Sequence, residues 1–68
     1  PVSRDRVLAL EDGAAGIASA AAAGLAVVAV GALPAHEAMR AAGVLRSLDG
    51  ATIATLQRVT AHAPEPRA

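Results

Sequence analysis

The sequence contains no cysteine, no phenylalanine, no tryptophan and no tyrosine. Lysine is absent as well, so every basic residue is an arginine. Without cysteine there are no disulfides to cross-link a small fold, and their absence is compatible with a reducing cytoplasm. Without aromatic rings the core lacks the side chains that remove the most surface from water. Neither sign of charge is in excess, because six basic residues face six acidic ones. That balance argues against a nucleic-acid-binding domain held by phosphate contacts, which carries a basic surplus. The arginines are also scattered, with only Arg4 and Arg6 close together.

What is present is mostly small and apolar. Hydrophobic residues make up 54% of the 68 positions, but most of them are alanine, which buries little area per residue. A domain of this size buries only about 60% of the surface its unfolded chain exposes. Small domains compensate with disulfides, metals or dense packing. The expectation is therefore that further sequence, or a partner, supplies the other side of the packing. The first residue, Pro1, is what a processed or truncated product would show.

Residues 13–35 carry no charge, and this stretch exceeds the about 20 residues a spanning helix needs. A membrane helix is nevertheless a poor reading. The stretch is interrupted by Gly13, Gly16, Gly24 and Gly31, and no aromatic anchor flanks it. Its composition also switches from alanine to the β-branched run Val27, Val28 and Val30, as a helix–turn–strand would. A secretory signal is disfavoured by the acids Glu11 and Asp12 directly before the apolar run. No membrane association is expected, and a cytoplasmic location is.

The pattern predicts alternating strands and helices. Residues 7–10, Val-Leu-Ala-Leu, form a short continuous apolar run, as does Ala26–Val30. Such runs fit strands covered on both faces in a parallel sheet. Between them, residues 14–23 have high helix propensity, with Asp12 as the expected N-cap and Gly24 as the stop. After a loop at residues 31–34, positions 35, 38, 39 and 42 predict a second helix closed by Gly43. Val44 and Leu45 predict a brief third strand near a sheet edge. Asp49-Gly50 predicts a turn, and Ile53, Leu56 and Val59 a final amphipathic helix. Residues 61–68, with Pro64 and Pro66, read as a tail. The expected fold is α/β, a βαβαβα Rossmann-like parallel sheet over residues 1–60 with right-handed crossovers.

In open α/β sheets, ligands gather at the carboxyl ends of the strands. The first such end carries two adjacent carboxylates, Glu11 and Asp12. A hard cation such as magnesium takes oxygen ligands and keeps several waters, so one or two carboxylates from a segment suffice. The helix N-terminus that follows attracts phosphate. On pattern alone the pair remains open between a metal site and a helix cap with a solvated neighbour.

The run from Val7 to Ile17, including Glu11-Asp12-Gly13 and Gly16-Ile17, continues with Ala20-Ala21, Ala23-Gly24-Leu25 and Val27–Val30. This succession resembles the fourth motif of haloacid dehalogenase-like hydrolases, in the branch of β-phosphoglucomutase and phosphoglycolate phosphatase. Val44-Leu45-Arg46-Ser47-Leu48 is similar to that branch's closing strand and its Ser-Leu pair. The resemblance spans residues 6–58. It implies the C-terminal part of the core domain of a magnesium-dependent phosphatase or phosphomutase. Asp12 would then help hold Mg2+, with Glu11 beside it acting directly or through water. Gly13 stands where the family usually has Ser or Thr, and Gly16 and Ile17 match structural positions.

The remainder of the family's apparatus is not in this sequence. No Asp-x-Asp motif supplies a phosphoryl-accepting nucleophile, no lysine binds phosphate, and no cap segment selects a substrate. The implied partners are a phosphorylated small molecule and the remaining core and cap segment, without which the chain is expected to be inactive. The alternative is a non-catalytic fragment or split subunit that completes another chain's sheet. His36 and His62 lie far apart without a positioned partner, His62 in the expected tail, and neither is read as a metal ligand or catalytic group. Ser3 and Ser47 read as turn or capping residues, and Met39 as core filler.

Overall fold

The structure, a computed structural model, describes residues 2–60. The expected tail, including His62, lies outside the described residues. A 3-10 turn at Arg4–Arg6 leads into strand β1 (Leu8–Glu11), helix α1 (Ala14–Ala22) and strand β2 (Ala26–Val30). A single helical turn, α2 (Ala35–Ala38), is followed by strand β3 (Gly43–Leu45) and helix α3 (Ile53–Thr60). The fold class is α/β, with a three-stranded parallel sheet in the order β1-β2-β3. The register pairs Glu11 with Ala29 and Ala29 with Val44, so β2 is central and the other strands are edges.

Burial explains the layering. Successive residues of a strand point to opposite faces, and β2 buries Val27, Val28 and Ala29 almost completely. On one face Val27 and Ala29 pack with Ile17 and Ala20 of α1, and Ala9, Leu33, Ala38 and Ala41 surround that cluster. On the other, α3 packs against β2 and β3, and Leu8, Leu10 and Ala26 line an open groove with Ile53 and Leu56 of α3. The uncharged span at residues 13–35 is thus broken into helix, turn and strand. No helix among the described residues is long and apolar enough to cross a membrane.

Local chemistry sets the ends of the helices. Gly24 adopts φ +82°, the left-handed conformation that a helix stop requires. The Leu25 amide donates to the Ala20 carbonyl and the Gly24 amide to that of Ala21, the paired bonds of a Schellman motif. At the start of α3, the Thr55 amide donates to Thr52 Oγ1 and the Thr52 amide to Thr55 Oγ1. This reciprocal pair is a capping box with threonine in the place of the usual Glu or Gln.

Four expectations need correction. Asp12 is not the N-cap of α1: that position is Gly13, and no side chain caps it. The acid run extends the strand instead, because Glu11 continues the ladder opposite Ala29. Strand β1 is not covered on both faces, since it lies at an edge and leaves Leu10 exposed. Helix α2 ends at Ala38 rather than reaching residue 42, because the Ala42 amide is drawn to the Val27 carbonyl and Gly43 opens β3. Met39, expected in the core, is 77% exposed at the end of that short turn.

Gly43 is where α3 comes closest to the sheet. A Cβ there would stand 2.5 Å from the Val59 carbonyl oxygen, a backbone atom that cannot swing aside. Gly43→Ala is therefore expected to lower stability by about 1–3 kcal/mol through forced separation of helix and sheet. Gly13→Ala, with nothing within 4 Å of its added carbon, should be near neutral. Urea unfolding midpoints of the two variants, compared with the parent chain, check this contrast.

Candidate functional site

The connections that leave the carboxyl ends of the strands carry Glu11, Asp12, Glu37, Arg46 and Asp49. Those that lead into the amino ends carry Arg4, Asp5, Arg6, Arg40 and, in the last turn of α3, Arg58. The chain is neutral, yet the topology sorts its charges. Four acids and one arginine mark one end of the sheet, and four arginines and one acid mark the other. An acid-lined strand end concentrates cations at low ionic strength. The fold places that end where open α/β sheets present ligand sites.

Glu11 and Asp12 share this end but differ in setting. Glu11 is the last residue of β1, half-buried on the face that carries α1. Its side chain folds back over the first turns of that helix, and Glu11 Oε1 occupies the space a Cβ at Gly16 would claim. A Cβ at that position would also stand 2.7 Å from Glu11 Cδ. Gly16 is thus the opening through which a carboxylate lies against a helix. Asp12 follows in the bend and is exposed. Neither carboxylate takes part in a hydrogen bond or an ion pair among the described residues.

The donor set is small. Among the described residues no group of three or more His, Cys, Asp and Glu side chains comes together as a metal cage. Glu11 and Asp12 are adjacent in sequence, and a hard cation that keeps most of its ligands as water, as magnesium does, takes no more than one or two carboxylates from a protein. His36 is 80% exposed and its Nε2 lies 4.0 Å from Glu37 Oε2, a surface contact rather than a ligand pair. Ser47 accepts a hydrogen bond from the Asp49 amide, the turn role expected of it. Ser3 donates to Asp5 at the other end of the sheet.

Sequence reasoning did not identify Glu11 as a strand residue, nor Gly16 as the space it fills. The signal was the spacing: an acid and a glycine five positions apart, across one strand-to-helix corner. An open groove of about 470 Å³ lies between β1 and α3; its lining includes Asp5, Arg6, Leu8, Leu10, Ile53 and Leu56 but neither Glu11 nor Asp12. No family model, no curated protein and no solved structure matches this chain.

Gly16→Ala should push the Glu11 carboxylate off the helix without unfolding it, because the atoms displaced are the far end of a flexible side chain. The helix itself gains up to about 1 kcal/mol from alanine. The check is a pair of measurements. The unfolding midpoint should hold or rise, while the carboxyl carbon resonance of Glu11 moves with amide shifts confined to residues 10–17.

Proposed function

We propose that this chain is the metal-site portion of a magnesium-dependent phosphoryl-transfer enzyme of the haloacid dehalogenase-like type, a phosphatase or phosphomutase acting on a small phosphorylated metabolite. The sheet would belong to that enzyme's Rossmann-like core, completed by the remaining core and a cap segment. The observation that carries the reading is the Glu11–Asp12 couple, without a partner among the described residues, at the carboxyl end of a parallel strand and directly before α1.

In this reading Asp12 holds Mg2+ from the exposed bend, and Glu11, braced against Gly16, does so directly or through a water. When bound, the cation would offset the negative charge of a phosphoryl group during its transfer. The carboxylates fix the cation at the strand end, and α1, whose amide-rich terminus begins one residue beyond Asp12, favours an anion beside it. The sequence has no Asp-x-Asp nucleophile and no lysine, so these residues orient and neutralise but do not themselves accept the phosphoryl group. The acid-rich edge repels phosphate in the absence of a cation, which ties substrate binding to metal binding.

A second reading is an interaction fragment that completes another sheet. The β1 edge, which has no strand partner among the described residues, and the groove beside it favour it.

Two outcomes test the enzymatic reading. Calorimetric titration of the chain with Mg2+ should show one weak site, with affinity reduced about tenfold or more in Asp12→Asn. Equal binding by the parent chain and the variant would remove Asp12 from the site. The chain alone should show no turnover of p-nitrophenyl phosphate above background in Mg2+, and authentic turnover would contradict the missing nucleophile. In the complete enzyme, Asp12→Asn should abolish most magnesium-dependent activity while circular dichroism stays unchanged.

A further inference from the structure

The sequence holds no asparagine, and two of its three aspartates, Asp12 and Asp49, are followed directly by glycine. At an Asp-Gly step no side chain shields the glycine amide nitrogen, which can reach the aspartate carboxyl carbon and close a five-membered succinimide ring. Ring closure requires the aspartate backbone to rotate out of its folded setting. What the neighbouring residues hold in place therefore decides which step reacts.

Asp12 is flanked by anchored residues. Glu11 pairs with Ala29 in the ladder, and the Gly13 carbonyl accepts from the Ile17 amide in the first turn of α1. Ile17 is itself 1% exposed, in the core. Turning the backbone at Asp12 would pull the start of α1 away from the sheet.

Asp49 has no such anchors. It lies between the end of β3 at Leu45 and the start of α3 at Ile53, and residues 46–50 are all exposed. Gly50 has φ +70°, and no other residue type among those described has positive φ. With the Ala51 amide donating to the Leu48 carbonyl, this is the sign pattern of a type II turn. A Cβ built at Gly50 meets nothing within 4 Å, so the space around the glycine is open. Its amide donates no hydrogen bond among the described residues. Opening the turn loses the Ala51–Leu48 bond and that of the Asp49 amide with Ser47 Oγ, on the order of 1 kcal/mol each.

We propose that Asp49 is a site of spontaneous isoaspartate formation in the folded chain, and that the fold protects Asp12 from the same reaction. The Gly50 nitrogen gives up its proton and bonds to Asp49 Cγ, and a carboxyl oxygen leaves as water. Water then adds to one of the two ring carbonyls. Opening at Cγ restores aspartate. Opening at the main-chain carbonyl breaks its bond to the Gly50 nitrogen and leaves the chain running through Cβ. The water lost is regained, and no oxidant or other co-reactant is needed. The product lengthens the β3–α3 connection by one carbon and carries a free α-carboxylate, the group that isoaspartyl methyltransferases esterify. The proposal does not rest on the phosphoryl-transfer reading.

The test ages the 68-residue chain at neutral pH and physiological temperature, in metal-free buffer and in guanidinium chloride, then cleaves it after arginine. Asp49 falls in the peptide Ser47–Arg58 and Asp12 in the peptide Val7–Arg40. Isoaspartate in each is read by enzymatic methyl transfer and by fragmentation in the mass spectrometer. Denaturant, in which neither step is held, gives the intrinsic ratio of the two rates. In buffer the ratio should shift about tenfold or more toward Asp49, since only Asp12 must wait for larger unfolding. Asp49→Glu, which would need a six-membered ring, should remove the product from its peptide and leave the Asp12 peptide unchanged. A ratio in buffer no greater than in denaturant overturns the proposal. So does an Asp49 peptide that stays free of isoaspartate, or one that Asp49→Glu leaves equally methylated.

Discussion

Strand β2 is the element that every other part of this fold must cover. Its central residues Val27, Val28 and Ala29 are at most 1% exposed, while neither edge strand reaches that burial. Burying both faces of one strand demands a layer on each side, and helices reached through crossover connections are the short solution in a parallel sheet. Helix α1 meets this demand with alanine. Small side chains let its axis lie close to β2, so that Ile17 and Ala20 seal one face with little volume. Helix α3 covers the other face, approaching so near that Gly43 has no room for a side chain.

The same connectivity accounts for the charge sorting. In a parallel sheet every strand ends on one side, and every return helix begins there. Acids at strand ends and helix starts thus collect on one side, and basic residues late in helices or before strands collect on the other. Acids near helix N-termini and arginine in the last turn of α3 also suit the helix dipoles. One topological rule therefore produces both favourable local electrostatics and an edge suited to a cation. Sequence position alone, with no net charge to signal it, becomes a polar molecule.

Much of this was legible in the residues. The β-branched run at 26–30 and the glycine at 24 define β2 and the end of α1 through burial pattern and backbone conformation, both of which are local properties. The extent of α2 was not legible. Its helical spacing over residues 35–42 is sound as a pattern, but the bond from Ala42 to Val27 depends on a neighbouring strand. The site was legible in composition and not in conformation. Asp12 is a good N-cap residue by type, yet the chain spends Glu11 on the ladder and turns at Asp12, which leaves the capping position to Gly13. The Thr52–Thr55 box escaped notice because threonine at the third helical position is an uncommon form of that motif.

The asymmetry between Glu11 and Asp12 gives the acid pair its chemical character. Two carboxylates in sequence repel each other, and in a regular strand they would point to opposite faces. Here the first is drawn back over Gly16 while the second is left in solvent at a bend. The cost of holding Glu11 near a helix start is small, since the helix terminus carries partial positive charge. Asp12 has no such support: it lies exposed in the bend, with no hydrogen-bond or ion-pair partner among the described residues.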